Sequence, residues 1–172
     1  MKLKDFITTI EVDNELEDIF KKDTEVLEGI EESIINTGNL VKEPFYINER
    51  LDGSEVLLDG HTRRLACLNQ LSHLKDDCDA VIITLNLPDI IAEELWIRTH
   101  QIKRRNLSNS QSNENKLAIG RLYNQSKKER GGNYGNQYTE ELAIASLEDC
   151  SMAGELEQYL ENALTVAEGL NK

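Results

Sequence analysis

The sequence predicts an α+β domain followed by a helical extension, and two kinds of pattern support that prediction. Short runs of apolar and β-branched residues, of which residues 80–86 are the strongest, are typical of strands. Longer segments repeat apolar residues at helical spacing and are bounded by capping residues, glycine or proline. Beyond residue 105 only helical patterns occur. We therefore expect an α+β domain over residues 1–105 and a helical extension over residues 106–172.

The first part of the chain contains a predicted strand and two predicted helices. Residues 6–13 are rich in β-branched side chains, which favours a first strand. The acidic stretch over residues 13–22 predicts a short helix. Asp23–Thr24 is a good capping pair for a helix over residues 25–36, and Gly38 ends that helix.

A hairpin and a sharp corner come next. A strand over residues 43–47, entered through a proline, is predicted to pair with a second strand that ends at Leu58. Asp59–Gly60 is a turn signal. Helical spacing resumes at residue 61 or 62 and continues to about residue 73. The sequence therefore predicts a strand, a tight turn and a helix in direct succession.

One more strand precedes the helical part of the chain. Residues 80–86 are apolar enough for a central strand, and Pro88 opens a helix over residues 89–101. The predicted apolar face of that helix consists of Ile90, Ile91, Leu95 and Trp96. His100 is expected to be a cap or a surface residue. The remaining predicted elements are a helix over 111–129, a glycine-rich loop over 130–137, and helices that begin at Thr139 and Ser151.

The corner after the hairpin carries positive charges that indicate a binding site for an anion. Arg63 and Arg64 lie in the first turn of the predicted helix, where the helix dipole is unfavourable for cations. A phosphate shared by the N–H groups around Gly60 and the guanidinium of Arg63 would make this arrangement favourable. The alternative is an ordinary corner with two solvated arginines, capped by Asp59 or Thr62.

These residues carry a family resemblance. The apolar strand that runs into Asp59-Gly60-His61-x-Arg63-x-x-Ala66 resembles the N-terminal domain of ParB, within the wider ParB/sulfiredoxin-like superfamily. Gly60, Arg63 and Ala66 match its phosphate-binding motif. Upstream, the order Ser33-Ile34, Gly38, Pro44 also matches the family. Downstream, the run from Arg104 to Ser108 resembles ParB-like proteins encoded by phages and plasmids.

The resemblance implies a small mixed sheet with helices and a site for a phosphate or a nucleotide. The implied phosphate-binding residues are Gly60, Thr62, Arg63, Arg64, Lys103, Arg104 and Arg105. CTP or another nucleotide is the implied ligand. His100 and Gln101 replace the Glu-Asn pair of the family, which argues against bound Mg²⁺ because that ion prefers carboxylate oxygens. If the protein cleaves nucleic acid, His61 is the best general base, with Asp59 to orient it.

Charge is unevenly distributed along the chain. The net charge is −13, yet residues 98–130 carry a net +7, while residues 1–35 and 133–172 carry −7 each. The basic segment is suited to a nucleotide or nucleic acid, and the acidic ends would repel one. The resemblance places a helix-turn-helix in the C-terminal part, but this one is degenerate and acidic. It suits packing on the chain's own core, a homodimer, or a basic protein partner.

Several classes of protein are not expected. No run of about 18 apolar residues exists, so we expect no membrane span. The first residues show no signal peptide. The three cysteines form no C-x-x-C pair and the three histidines lack ligand spacing, which indicates reduced thiols and no metal site. Together these features predict a cytoplasmic protein.

Two functions are consistent with these features. The first is a ParB-like protein of a mobile genetic element that binds a nucleotide or a nucleic-acid phosphate at residues 60–64, with or without nuclease activity. The second is a non-catalytic acidic inhibitor or adaptor, such as an anti-CRISPR protein, that blocks a nucleic-acid enzyme of the host. Loss of activity on Arg63→Ala would support the first, and loss on charge reversal over residues 155–161 would support the second.

Overall fold

A computed structural model of the chain describes residues 1–19 and 22–102, together with residues 114, 115, 118, 119, 121, 122 and 125. The chain divides into two compact units, Met1–Asn86 and Leu87–Lys172. The described elements are α1 (Leu3–Thr9), α2 (Asn14–Glu17), α3 (Thr24–Thr37), β1 (Phe45–Glu49), β2 (Glu55–Asp59), α4 (His61–Asn69), β3 (Ile82–Leu85) and α5 (Ile90–Ile102). Helices and a small mixed sheet confirm the α+β class. The predicted boundary after residue 105 stays a prediction.

The sheet has three strands in the order β2-β1-β3. Strands β1 and β2 form the predicted antiparallel hairpin, in which Ile47 lies opposite Leu57. Strand β3 pairs with β1 in parallel. The prediction that residues 80–86 form a central strand is wrong, because β3 is an edge strand of this sheet and Ile83 is 40% exposed. An apolar run indicates a strand, but its place in the sheet depends on partners elsewhere in the chain.

The prediction of a strand over residues 6–13 is also wrong. Residues 3–9 form α1, and Leu3, Phe6, Ile7 and Ile10 are all buried. Their spacing of three and four residues is that of an amphipathic helix, which outweighs the β-branched composition. Beyond α1 the chain makes only an isolated bridge to the sheet, where the N–H of Leu57 donates to the carbonyl of Glu11 at 3.0 Å.

The short helix predicted over residues 13–22 forms but ends early, at Glu17, whereas α3 begins and ends close to its predicted bounds. The Asp13 side chain accepts a hydrogen bond from the N–H of Glu15 and so caps α2. Asp23 caps α3, and Gly38 closes it in the left-handed conformation, with φ 70°. The left-handed conformation costs glycine nothing, which is why it commonly follows the last turn of a helix.

An apolar core lies between the sheet and the helices of the first unit. The rings of Phe6 and Phe45 meet there, with 5.0 Å between their centroids. Ala66 and Cys67 of α4 are fully buried in the same cluster. Burial raises the pKa of the Cys67 thiol to about 12, so the group stays protonated at neutral pH. The core therefore fixes α4 against the hairpin that precedes it.

In the second unit, α5 begins after Pro88, and the side chain of Asp89 accepts a hydrogen bond from the N–H of Ala92. Its predicted apolar face is only partly right. Ile91 and Leu95 are buried, whereas Ile90 is 47% exposed. Trp96 is half-buried and stacks on His100, with 4.4 Å between the ring centroids.

The rest of the predicted helical part lies largely outside the described residues. Between residues 111 and 129 the described positions are helical, as predicted. The glycine-rich loop, the two helices that follow it and their stripe of Leu156, Leu160 and Leu164 lie outside. None of the described helices is long and apolar enough to span a membrane.

Candidate anion site at the start of helix α4

The corner between β2 and α4 is built as the sequence predicts. Strand β2 ends at Asp59, and α4 begins at His61 after a single residue. That residue, Gly60, is the N-cap and has φ 110°. Both caps predicted for an ordinary corner, Asp59 and Thr62, are wrong. Because glycine has no side chain, the first N–H groups of α4 have no side-chain cap.

Packing explains why glycine occupies this position. A Cβ atom on Gly60 would lie 2.5 Å from Cδ1 of Phe45, whose ring is part of the core. The positive φ is a second reason, since residues with a side chain rarely adopt it. Gly60 therefore allows α4 to begin in contact with β1.

The guanidinium of Arg63 is held in place by several contacts at the corner. Its Nη1 donates to Oε2 of Glu43 at 2.6 Å, and its Nη2 donates to the carbonyl of Pro44 at 2.7 Å. A carboxylate oxygen of Asp59 lies 3.7 Å from Nη2. The guanidinium also lies over the ring of Phe45, 5.3 Å from its centroid. Only 11% of this side chain is exposed, so the arginine is not solvated as the ordinary corner would require.

Arg64 also has an acceptor within the chain. Its Nε donates to the carbonyl of Ile7 at 2.9 Å. Ile7 lies in the last turn of α1, where carbonyl groups lack partners within the helix and carry partial negative charge. Arg64 therefore ties α4 to the end of α1 while Arg63 ties it to the start of β1.

The predicted general base, His61, is mostly enclosed. Its Nε2 atom is buried and has no hydrogen-bond partner. Burial lowers the pKa of this imidazole, and the negative charges of Glu17 and Asp59 only partly oppose that effect. His61 is therefore neutral at pH 7. Asp59 does not orient it through Nε2, and a substrate would not reach that nitrogen.

Both positively and negatively charged groups surround the corner. Glu17 of α2 forms an ion pair with Lys22 at 2.7 Å. That contact is the main reason why the pKa of Glu17 is lowered, and the positive charge of Arg64 acts in the same direction. An anion at the start of α4 would therefore meet the positive end of a helix together with several carboxylates.

Four of the seven predicted phosphate-binding residues lie together at this corner. They are Gly60, Thr62, Arg63 and Arg64. The other three, Lys103, Arg104 and Arg105, lie outside the described residues. All seven stay predictions. Within the described part of the chain, no group of three His, Cys, Asp or Glu residues is placed to hold a metal ion.

Sequence reasoning missed Glu43 and Phe45. Both contact Arg63, which lies 20 residues beyond Glu43 in the chain. The only local signal was the position of Glu43 directly before the proline that opens β1. Nothing in that signal indicates an ion pair across the hairpin.

Comparison of the chain with protein-family models, curated proteins and solved structures found no match in any of the three.

Proposed function

We propose that this chain is a ParB-like protein of a mobile genetic element that binds the phosphate of a nucleotide or nucleic acid at the start of α4. One observation carries the proposal. Helix α4 begins at a glycine that offers no side-chain cap, and the guanidinium of Arg63 lies beside that glycine. A Cβ on Gly60 would be 3.1 Å from Nη2 of Arg63.

The charge at the start of α4 favours a bound anion. The first N–H groups of a helix lack partners within it and together carry about half a positive charge. The first turn of α4 contains no acidic residue to offset that charge. A phosphate supplies several acceptor oxygens and a full negative charge, which suits such a position. Arg63 would add a charge-assisted hydrogen bond.

Arg63 already binds an anionic group, since the carboxylate of Glu43 lies 2.6 Å from its Nη1. This contact supports the proposal because it involves a guanidinium nitrogen that can bind a negatively charged oxygen. The family resemblance also implies phosphate contacts at Lys103, Arg104 and Arg105, in the basic segment over residues 98–130. CTP is the first nucleotide to test. The burial of His61 Nε2 does not favour a nuclease step at this corner.

The test is isothermal titration calorimetry of the full chain with CTP, other nucleotides and short RNA and DNA, with and without Mg²⁺. Arg63→Lys keeps the charge but loses the planar fork of the guanidinium, so we expect at least about tenfold weaker binding. Arg50→Lys is the matched control, because Arg50 also pairs with a carboxylate but lies at the other end of β1. We expect it to bind as the wild type does.

Absence of binding to every ligand in the wild type would overturn the proposal. Equal losses in the two lysine variants would also contradict it, because they would indicate a general effect of removing an arginine.

A second candidate function is supported by the ion pairs of the first unit. Residues 1–86 contain nineteen acidic and nine basic residues. Among the described residues of this unit, five basic side chains pair with its carboxylates, namely Lys2, Lys4, Lys22, Arg50 and Arg63. Helix α3 exposes Glu25, Glu28 and Glu32 at helical spacing. An acidic surface of this kind suits an inhibitor or adaptor that occupies the basic channel of a host nucleic-acid enzyme, as in an anti-CRISPR protein.

A DNA cleavage assay with purified CRISPR effectors tests this candidate. The wild type should inhibit cleavage by at least one effector, and the triple variant Glu25→Lys, Glu28→Lys, Glu32→Lys should not. Charge reversal over the acidic residues 155–161 is the corresponding test for the C-terminal helices. Arg63→Lys should leave inhibition unchanged, which distinguishes the two proposed functions.

A further inference from the structure

The three oxygen partners of Arg63 differ in how firmly the fold holds them. The carbonyl of Pro44 is part of the backbone that leads into β1. Asp59 is the last residue of β2, and only 13% of its side chain is exposed. Glu43 lies before β1, and 49% of its side chain is exposed. Two partners are therefore built into the sheet, and the third lies on a surface loop.

We propose that Glu43 is an intramolecular competitor for the anion that binds at the start of α4. Its carboxylate binds Nη1 of Arg63 in the free protein and leaves when a phosphate takes its place. This inference rests on the proposed phosphate site. It adds a regulatory contact, because the affinity for phosphate then includes the work of displacing a residue of the chain itself.

The loop that carries Glu43 can move without disturbing the core. Val41, Lys42 and Glu43 are all exposed, and the N–H of Glu43 donates to the carbonyl of Val41 at 2.8 Å. That turn is local, so it can move together with the glutamate. Phe45, two residues further on, is buried in the core and marks the point at which the fold holds the chain firmly.

The guanidinium would keep its orientation during the exchange. The bond from Nη2 to the Pro44 carbonyl and the packing over Phe45 involve no atom of Glu43. Of the contacts that Arg63 makes, only the one at Nη1 has to change. A guanidinium held in place loses little side-chain freedom when it binds a new anion, and this favours an exchange over binding by an unsupported arginine.

Competition of this kind also selects among anions. A monovalent anion that displaces Glu43 would exchange one negative charge for another and gain little. A phosphate group with two negative charges would gain from the N–H groups of α4 as well as from Arg63. We therefore expect Glu43 to favour pyrophosphate and nucleoside phosphates over chloride or acetate.

The test is isothermal titration calorimetry of the full chain with pyrophosphate and with CTP. Glu43→Gln removes the competing charge and should tighten binding by roughly fivefold, which is the scale of a half-exposed ion pair. Glu49→Gln is the matched control, because it removes an exposed carboxylate at the far end of the same strand. It should leave the affinity unchanged. Adding Arg63→Lys to Glu43→Gln should cancel the gain.

The outcomes separate this inference from the proposed function. Equal affinities of the wild type and Glu43→Gln would overturn the competition and leave the phosphate site standing. No binding by either protein would overturn both. Amide resonances give a second readout that does not depend on any variant. Pyrophosphate should shift the signals of Gly60 and Glu43 but not that of Glu49, and a shift of Gly60 without one of Glu43 would also overturn the competition.

Discussion

Helices α3 and α4 begin in opposite ways. At the start of α3 the side chain of Asp23 accepts hydrogen bonds from the N–H groups of Glu25 and Val26, at 3.0 and 3.3 Å. Glu25 adds a negative charge in the first turn. At the start of α4 the cap is Gly60, and the first turn has no acidic residue. The first N–H groups of α3 are capped by a residue within the same four-residue stretch, whereas those of α4 have no side-chain cap.

The difference shows that one helix start can depend on local residues and another on residues distant in the sequence. Helix α3 needs nothing beyond its own capping residue. Helix α4 depends on distant groups: Arg63 reaches Glu43 and the Pro44 carbonyl, and Arg64 reaches the carbonyl of Ile7. A helix start that relies on distant partners and lacks a side-chain cap is the one that an external anion can use. Four predictions test this comparison, from the largest expected effect to the smallest.

Gly60→Ala should have the largest effect, a loss of at least about 3 kcal/mol in the free energy of unfolding. The new Cβ would lie 2.5 Å from the ring of Phe45 and would impose a positive φ on alanine. Urea unfolding followed by circular dichroism measures the loss. Gly53→Ala is the control, since Gly53 has φ 84° but no atom within 4 Å of the added Cβ. Its loss should be only about 1 kcal/mol.

Arg63→Ala should lower the free energy of unfolding by about 2 kcal/mol. It removes the hydrogen bond to the Pro44 carbonyl and the contact with Phe45, and it takes the guanidinium away from the mostly buried carboxylate of Asp59. The same urea titration measures it. The side chain of Arg50 is 27% exposed against 11% for Arg63, so the loss on Arg50→Ala should be about 1 kcal/mol or less. Equal losses of stability in Arg63→Ala and Arg50→Ala would contradict the role of Arg63 in holding α4 against β1.

Asp23→Ala should cost about 1 kcal/mol, the usual value for loss of an N-cap side chain. The change removes the acceptor of both N–H groups at the start of α3. Asp23→Ser keeps a capping oxygen and should recover most of the loss in the same urea titration. If Asp23→Ala proved as costly as Arg63→Ala, the contrast between a local and a long-range helix start would not hold.

The smallest effect concerns the pH dependence that His61 contributes. Burial lowers its pKa in the folded protein, so below about pH 6.5 the unfolded chain binds a proton that the folded protein does not. The stabilising contribution of neutral His61 is therefore complete above pH 6.5 and declines as the pH falls towards the folded-state pKa. Urea unfolding of the wild type and His61→Gln at pH 7.5 and 5.5 measures it.

The expected outcome is that the advantage of the wild type over His61→Gln shrinks at pH 5.5. His73→Gln is the control, because it removes an exposed imidazole instead of an enclosed one. A pH dependence that is identical in the wild type and His61→Gln would contradict the burial of the imidazole as the cause.

Much of the described fold could be predicted from short stretches of sequence. Asp23 and Gly38 mark the two ends of α3, and the turn at Gly60 marks the start of α4. The hairpin followed from two apolar runs separated by a polar turn. One exception was α1, where β-branched composition pointed to a strand while the spacing of Leu3, Phe6, Ile7 and Ile10 already fitted a helix.

The candidate site could be predicted only in part. Gly60, Thr62, Arg63 and Arg64 were identified because they lie close together at a helix start. The prediction of His61 as a general base could not include the burial of its Nε2 atom, because burial depends on the tertiary structure. As phosphate-binding residues the four at this helix start stay predictions, as do Lys103, Arg104 and Arg105.

By itself, the sequence determined the capped ends of α3, the hairpin, and the glycine corner that begins α4. Each of these depends on residues within a few positions of one another, where backbone preference and capping dominate. Only the tertiary structure decided that β3 lies at an edge, that Gly60 packs against Phe45, and that Arg63 binds Glu43. Those outcomes depend on which distant segments share a core, because an ion pair across 20 residues leaves no periodic pattern in the sequence.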